Sequence, residues 1–435
     1  MLKTLRNAWK IIDLRKKILF TLFMILLYRL GNAVPVPYIN RELLAAYFDQ
    51  FSNTVLGLYN VMSGSSFSQA TVFALSIQPY INASIIIQLL TIAIPALERL
   101  SKEGGEEGKK KIERITRYST VGLALLQGIG YYTICRANGL VSTSGIWEAI
   151  VIVMTLVAGS SIIMWMGEQI TEFGIGNGIS IILFVGIVSR VPVAFVSAIG
   201  TVTSAGAEWW KYLLIYLGVL IGAIAMIVLI VIVTEAERRI PVQYSKRVVG
   251  RKVYGGQATH LPLKVNMSGV LPVIFAQSIA SLPATIAAFV GKTKDSGGFW
   301  GGLLTVFDTN TVLYMVIYFL LIIFFSYFYS TIQFNPVEVS NNLRNNGGYI
   351  PGFRPGRPTS DFIAKVLNKV TLFGAVYLGI VAIVPLIVNA VSETAARSGI
   401  AVGGTSLIIL VGVALETVKG MEAQMVMRNY KGFLE

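Results

Sequence analysis

Ten runs of about 20 mostly apolar residues, at 18–37, 71–94, 115–135, 147–167, 178–197, 211–234, 268–290, 311–333, 370–389 and 401–418, constrain this 435-residue chain more than any other feature. A helix of about 20 apolar residues crosses the hydrocarbon core of a bilayer. With 54% of residues hydrophobic, 13% charged and a mean hydropathy of +0.68, there is more apolar surface than a soluble core can bury. The stretches left between the runs are too short for a separate soluble domain. Membrane β-barrels alternate apolar and polar residues along strands of about ten, whereas Ile224 to Val233 is apolar on every face. The expected fold class is therefore an all-α polytopic membrane protein with ten transmembrane helices. Five spans fall in residues 1–200 and five in 201–435. An odd number per half places the halves in opposite orientations and permits an inverted repeat, with a pathway between the halves.

The net charge of +14 would suggest nucleic-acid binding in a soluble protein, so the placement of the 36 Lys and Arg residues matters. They alternate by loop. Twenty-eight lie in the N-terminal segment, the loops after spans two, six and eight, and the C-terminal tail. Seven (Arg41, Arg136, Arg190, Lys211, Lys292, Lys294, Arg397) lie on the other side, and Arg29 sits late in the first span. The positive-inside rule puts both termini in the cytoplasm. The basic N-terminal stretch runs into a full-length span without a small-residue cleavage site, which predicts a retained helix from Ile18. Cys135 is the only cysteine and reads as an apolar helix residue.

Three connections stand out. Residues 53–70 are half apolar and rich in Gly and Ser, too short and polar to cross, and fit an external loop or a re-entrant segment. Residues 235–265 hold two short β-branched runs separated by Gly250, Gly255 and Gly256, a pattern for an ordered hairpin-like protrusion. Residues 335–361 contain NNGGYIPGFRPGRP, whose Gly and Pro residues predict a tight exposed turn, not a helix, presenting Arg354 and Arg357.

Enzymatic signatures fail one by one. His260 is the only histidine, so H-E-x-x-H is impossible. GGEEGKK at 104–110 has one residue too few for a phosphate loop, and GIGNG at 174–178 joins two spans instead of a strand and a helix. Neither a catalytic residue, a metal nor a cofactor is expected. An ion-coupled transporter normally carries charge at the midplane, whereas Arg29, Glu168, Arg190, Glu235 and Glu416 sit near span ends. Polar residues within spans, Asn82, Gln88 and Gln277, fit either a pathway or bonds between helices.

PYINASIIIQLL places Ile81 and Ile85 one helical turn apart, and GNGISIILF does the same for Ile179 and Leu183. These stretches, with GEQITEFGIGNGISI, ERRIPVQYSKR, LPLKVNMSGVLPVIFAQSI, NPVEVSNNLRNNGGYIPGFRPG and GGTSLIILV, resemble the SecY family over nearly the whole chain and in family order. The resemblance implies a central pore between the two inverted five-helix halves, serving as a protein-conducting channel in the bacterial cytoplasmic membrane. Its constriction would be an apolar ring of Ile81, Ile85, Ile179, Leu183, Ile274 and Ile409. A ring of bulky aliphatics repels water and ions. The resemblance further implies a plug at 56–68 (Leu56, Gly57, Leu58, Tyr59, Val61, Met62, Gly64, Phe67), whose weak burial would permit displacement. It implies a lateral gate between spans two and seven and spans three and eight, with Gln88 and Gln277 lining it. Arg251, Lys252, Arg354 and Arg357 would contact the SecA motor ATPase and the ribosome. SecE and SecG would be companion subunits, signal peptides and nascent chains the substrates, and lipid the destination of released helices.

Overall fold

The computed structural model describes residues 2–50, 60, 63–102, 104–141, 145–204, 209–244, 247–249, 252–254, 258–267, 269–289, 298–308, 311–391 and 404–431. A short amphipathic helix α1 (Leu2–Lys10) leads into α2 (Ile12–Gly31), and α3 (Arg41–Gln50) follows. Next come α4 (Gln78–Ala93), α5 (Pro95–Lys102), α6 (Gly105–Ala137), α7 (Ile146–Phe173), α8 (Gly178–Val188) and α9 (Arg190–Ser204). The second half begins with α10 (Trp209–Glu235), and after a β-region continues with α11 (Leu271–Phe289), α12 (Gly298–Val306), α13 (Val312–Gln333) and α14 (Pro336–Asn345). It ends with α15 (Arg357–Val391) and α16 (Gly404–Lys431).

Each of the ten apolar runs contains helix, the fifth the pair α8 and α9. Among the described residues, six helices qualify as spans by length and composition alone, and α4 qualifies only together with α5 beyond a 105° bend. Pro95 explains that bend, because proline removes a donor and pushes the preceding Ile94 out of the helical region.

The run at 71–94 is helical only from Gln78, where Pro79 supplies the preset φ of a first turn. Residues 71–77 are turns instead, and Ser76 has a positive φ of 51°. They belong to a stem that begins near Ser63. The stem lies alongside residues 34–36: Val36 N–H donates to Ala70 O at 2.8 Å and Val72 N–H to Val34 O at 3.0 Å.

On the basic side, the 235–265 protrusion is built from β1 (Glu237–Tyr244), β2 (Arg247–Val249), β3 (Lys252–Tyr254) and β4 (Ala258–Lys264). β1 pairs antiparallel with β4 from Glu237↔Lys264 to Gln243↔Ala258, and β2 with β3. His260 is exposed on β4. Strand β5 (Gly348–Tyr349), from the 335–361 connection, adds to the free edge of β1. Ile240 and Val242 on one face of β1 pack with Leu263, Leu343, Ile350 and Ile363 in a small core of their own. The Gly and Pro reading of 335–361 needs correction at both ends. Asn335 caps α14 by accepting from Val337 and Glu338 N–H, with Pro336 in the first turn, and α15 starts at Arg357 instead of near residue 370.

The largest cluster of buried side chains among the described residues runs through both halves, with contributions from α2, α4, α7, α8, α10, α11, α13, α15 and α16. The halves meet where α8 packs on α16, α9 on α10 and α6 on α11. Two ion pairs brace the basic face, Arg117–Glu168 between α6 and α7 and Lys419–Glu235 between α16 and α10, each at 2.7 Å. Both pairs are partly exposed and link neighbouring helices at the membrane surface.

Candidate functional site

The six aliphatic residues of the expected ring come from four helices and belong to, or pack against, one buried cluster. Ile81 and Ile85 on α4, Leu183 on α8, Ile274 on α11 and Ile409 on α16 are all buried members of the central cluster, and half-buried Ile179 packs against it. Four elements from two halves thus contribute branched aliphatic side chains to one buried cluster.

Helix α8 is held in place from its first turn. The side-chain oxygen of Asn177 accepts from the N–H groups of Ile179 and Ser180 at 3.1 and 3.3 Å, and Thr171 Oγ1 accepts from Gly178 N–H at 2.9 Å. The GIGNG turn is tight because Gly176 adopts φ +69° and a Cβ on Gly178 would lie 2.0 Å from the Gly167 carbonyl. Replacing Asn177 by Ala removes the cap and should cost about 1 kcal/mol, read as a lower thermal midpoint of the purified complex. An unchanged midpoint would show that the cap does not position α8.

Of the expected plug residues, Leu56, Gly57, Leu58, Tyr59, Val61 and Met62 lie outside the described residues. Gly64 and Phe67 are described, and neither is weakly held. Phe67 is 8% exposed and sits in a second cluster, edge-on to Phe48 and Tyr131 at 5.0 Å each. The Tyr131 hydroxyl also donates to its carbonyl at 2.8 Å. Ser63, Ser66 and Ser68 are buried as well. Low hydrophobicity therefore does not mean weak burial here: small side chains let the stem pack close and hydrogen-bond, as Asn60 does by accepting from the N–H groups of Ser65 and Ser68. Phe67 is an anchor of the segment.

Gln88 is exposed on α4. Gln277 on α11 is half-buried and lines a small cavity with Tyr314, Tyr318, Ala382, Leu386, Gly404 and Thr405, all from the second half. The Tyr318 and Thr405 hydroxyls lie 3.0 Å apart beside it. Gln277 thus lines a mostly apolar cavity within its own half, and across the seam α6 packs on α11. Arg251 lies outside the described residues, as does the side chain of Lys252. Arg354 and Arg357 are exposed. The turn that carries Arg354 is pinned by Ser340 Oγ donating to Gly356 O and Thr359 Oγ1 donating to Arg354 O, both at 2.8 Å, and by Phe353 stacked on Phe362 at 4.1 Å.

A family model described as SecY matches residues 71–418, which include all six ring residues and both protruding loops. The chain belongs to the SecY family. Relatives named protein translocase subunit SecY align over the full length of both chains, at 45% identity from Streptomyces coelicolor and 41% from Mycobacterium tuberculosis. Among solved structures, one described as a protein-conducting channel has a TM-score of 0.64 at 17% identity, covering 95% of this chain and 93% of that one. Sec61 from a canine ribosome–channel complex has a TM-score of 0.61 at 16% identity, covering 95% of this chain and 93% of that one. At those identities the structural likeness establishes the SecY-type fold.

The residue that sequence reasoning undervalued is Arg29. It was placed among end-of-span charges, yet its Nη2 donates to the Val185 carbonyl in α8 at 2.6 Å. A lone arginine within an apolar span was itself the signal, since such a charge is retained only where it has a partner.

Proposed function

We propose that this chain is the channel subunit of a protein translocase, conducting unfolded secretory polypeptides across the bilayer and releasing hydrophobic segments sideways into lipid. The observation that carries this reading is that Ile81, Ile85, Leu183, Ile274 and Ile409, from four helices and both halves, share one buried cluster with Ile179 packed against it. An aliphatic constriction excludes water and ions while idle, and its side chains are soft enough to deform around an extended peptide. The full-length relatives named protein translocase subunit SecY support the same reading. The membrane is the bacterial cytoplasmic one, with both termini inside, as the charge asymmetry predicts.

In this reading residues 56–62 form the stopper, and the stem from Ser63 ties it to α6 and α8. Helices α4, α6, α11 and α13 border the lateral exit. SecE and SecG complete the complex. SecA or the ribosome supplies the driving force at the face formed by the hairpin bearing Arg251 and Lys252 and the turn bearing Arg354 and Arg357. Basic side chains on rigid turns suit both, by steering an acidic protein surface or ribosomal RNA.

The purified complex in liposomes tests the proposal: motor-driven uptake of a preprotein, with no ion-coupled uptake of small solutes, is expected. Solute uptake coupled to an ion gradient without preprotein import would make it a transporter. Reversing Arg354 to Glu should cut motor-driven import about tenfold or more, as loss of a docking charge commonly costs over 1 kcal/mol, while the complex still assembles. Normal import would remove this turn from the motor site.

A further inference from the structure

The fifth span, 178–204, is interrupted at one residue, Ser189, whose own dihedrals stay helical. Helix α8 has only 11 residues, about 16 Å of rise, before Ser189 interrupts it and α9 begins. A break inside a bilayer leaves carbonyls that water cannot satisfy. At Ser189 the carbonyls keep partners: Val185 O accepts the helical bond from Ser189 N–H at 3.1 Å and a second bond from Arg29 Nη2 at 2.6 Å, and the Ser189 hydroxyl donates to Gly186 O at 2.6 Å. The guanidinium also lies at the carbonyl end of the half-helix, where the peptide dipoles favour a cation.

The plug stem rests on this same interruption. A Cβ placed on Gly64, whose φ is +66°, would lie 3.0 Å from Ser189 Oγ, 3.1 Å from Gly186 O and 3.3 Å from Gly186 Cα, so the stem backbone is against the interrupted turn. The residue beside Arg29 grips the other end of the stem. Tyr28, 1% exposed, stacks on Phe73 with ring centroids 5.9 Å apart and planes within 9°. The last turn of α2 is therefore a bracket, with Tyr28 on the stem and Arg29 on the turn that the stem sits against.

We infer that Arg29 is a positioning residue that holds the interrupted fifth span as the seat of the plug stem and so keeps the idle channel closed. It acts through Val185 and Gly186 and need not touch a translocating chain. The inference rests on the plug reading given above. Its consequence is that loss of the guanidinium unseats the stem without dissolving the helix bundle.

Ser66 reports on the seat, since it is 2% exposed in the stem and Ser66→Cys changes little in size. Native Cys135 is fully buried, so a membrane-impermeant maleimide added from outside should label the parent complex negligibly. In Ser66→Cys complexes in liposomes, Arg29→Met should speed labelling about tenfold or more, as expected for losing a charge-assisted hydrogen bond. Arg29→Lys should restore much of the protection, and subunit assembly and thermal midpoint should stay near the parent values. Parent-like labelling in Arg29→Met overturns the inference, as does labelling that rises only in step with a falling thermal midpoint. If Arg29→Met does not assemble, Arg29→Gln carries the same test with the same two outcomes. A separate deletion of residues 56–62 is read by idle ion conductance. If the deletion leaks but labelling ignores Arg29, the seat is wrong and the stopper stands; if labelling responds but the deletion does not leak, the stopper is wrong and the seat stands.

Discussion

Asparagine in place of Ile81, Ile274 or Ile409 should make the idle complex leak ions and accept preproteins with defective signal sequences. The three side chains are 7%, 9% and 1% exposed and lie in the same buried cluster, although they come from α4, α11 and α16. A buried amide left without partners costs about 1–3 kcal/mol. Wetting the constriction relieves that cost, so the wet state gains roughly tenfold to a hundredfold in relative population. Valine at the same positions keeps the site apolar and should change conductance little. Planar-bilayer recordings of the idle complex, alongside import of a signal-defective substrate, check both effects. Unchanged leak and unchanged selectivity in all three variants would mean that these residues merely pack helices.

Valine at Gly159 should destabilise the complex severely and open the channel. On α7 this glycine faces the backbone of the stem: a Cβ would sit 1.9 Å from the Val72 carbonyl oxygen and 3.0 Å from Val72 Cγ1. The Val72 backbone is tethered on its other side to Val34 and cannot retreat. Overpacking a core commonly costs about 1–3 kcal/mol, and a clash with backbone belongs at the upper end or beyond. A fall in the thermal midpoint together with raised idle conductance is expected. Gly122→Ala on α6 is the control, since a Cβ there meets nothing within 4 Å and should leave both readouts alone. A Gly159→Val complex as stable and as tight as its parent would show that the stem can shift away from α7.

Hydropathy and charge made the bundle legible because both act through simple sums: a span needs enough apolar length, and a loop keeps its cations on one side. The same sums carry no direction. Residues 71–77 are apolar enough to extend the second span, yet they turn, because the chain must leave the bridge with residues 34–36 before Pro79 can start a helix. Helix α14 was missed for another reason. The Gly and Pro residues at 347–358 drew attention from Asn335-Pro336, an N-cap followed by a first-turn proline that announces a helix. The ring assignment rests on the family resemblance, since one isoleucine on an apolar helix looks like any other. Arg29 was visible as an anomaly, but its partner carbonyl, 156 residues away, was not.

Strand β5 is only two residues long, but it ties together two connections that are far apart in the chain. Through Gln243↔Tyr349 and Tyr244↔Gly348, and the Tyr349 hydroxyl donating to Gln243 Oε1 at 2.9 Å, the two protrusions share one sheet and one small core. They form a single handle whose stalks run into α10, α11, α13 and α15. A displacement of either protrusion is therefore shared with the other and passed to the four helices at their base, so the two loops act as one mechanical part.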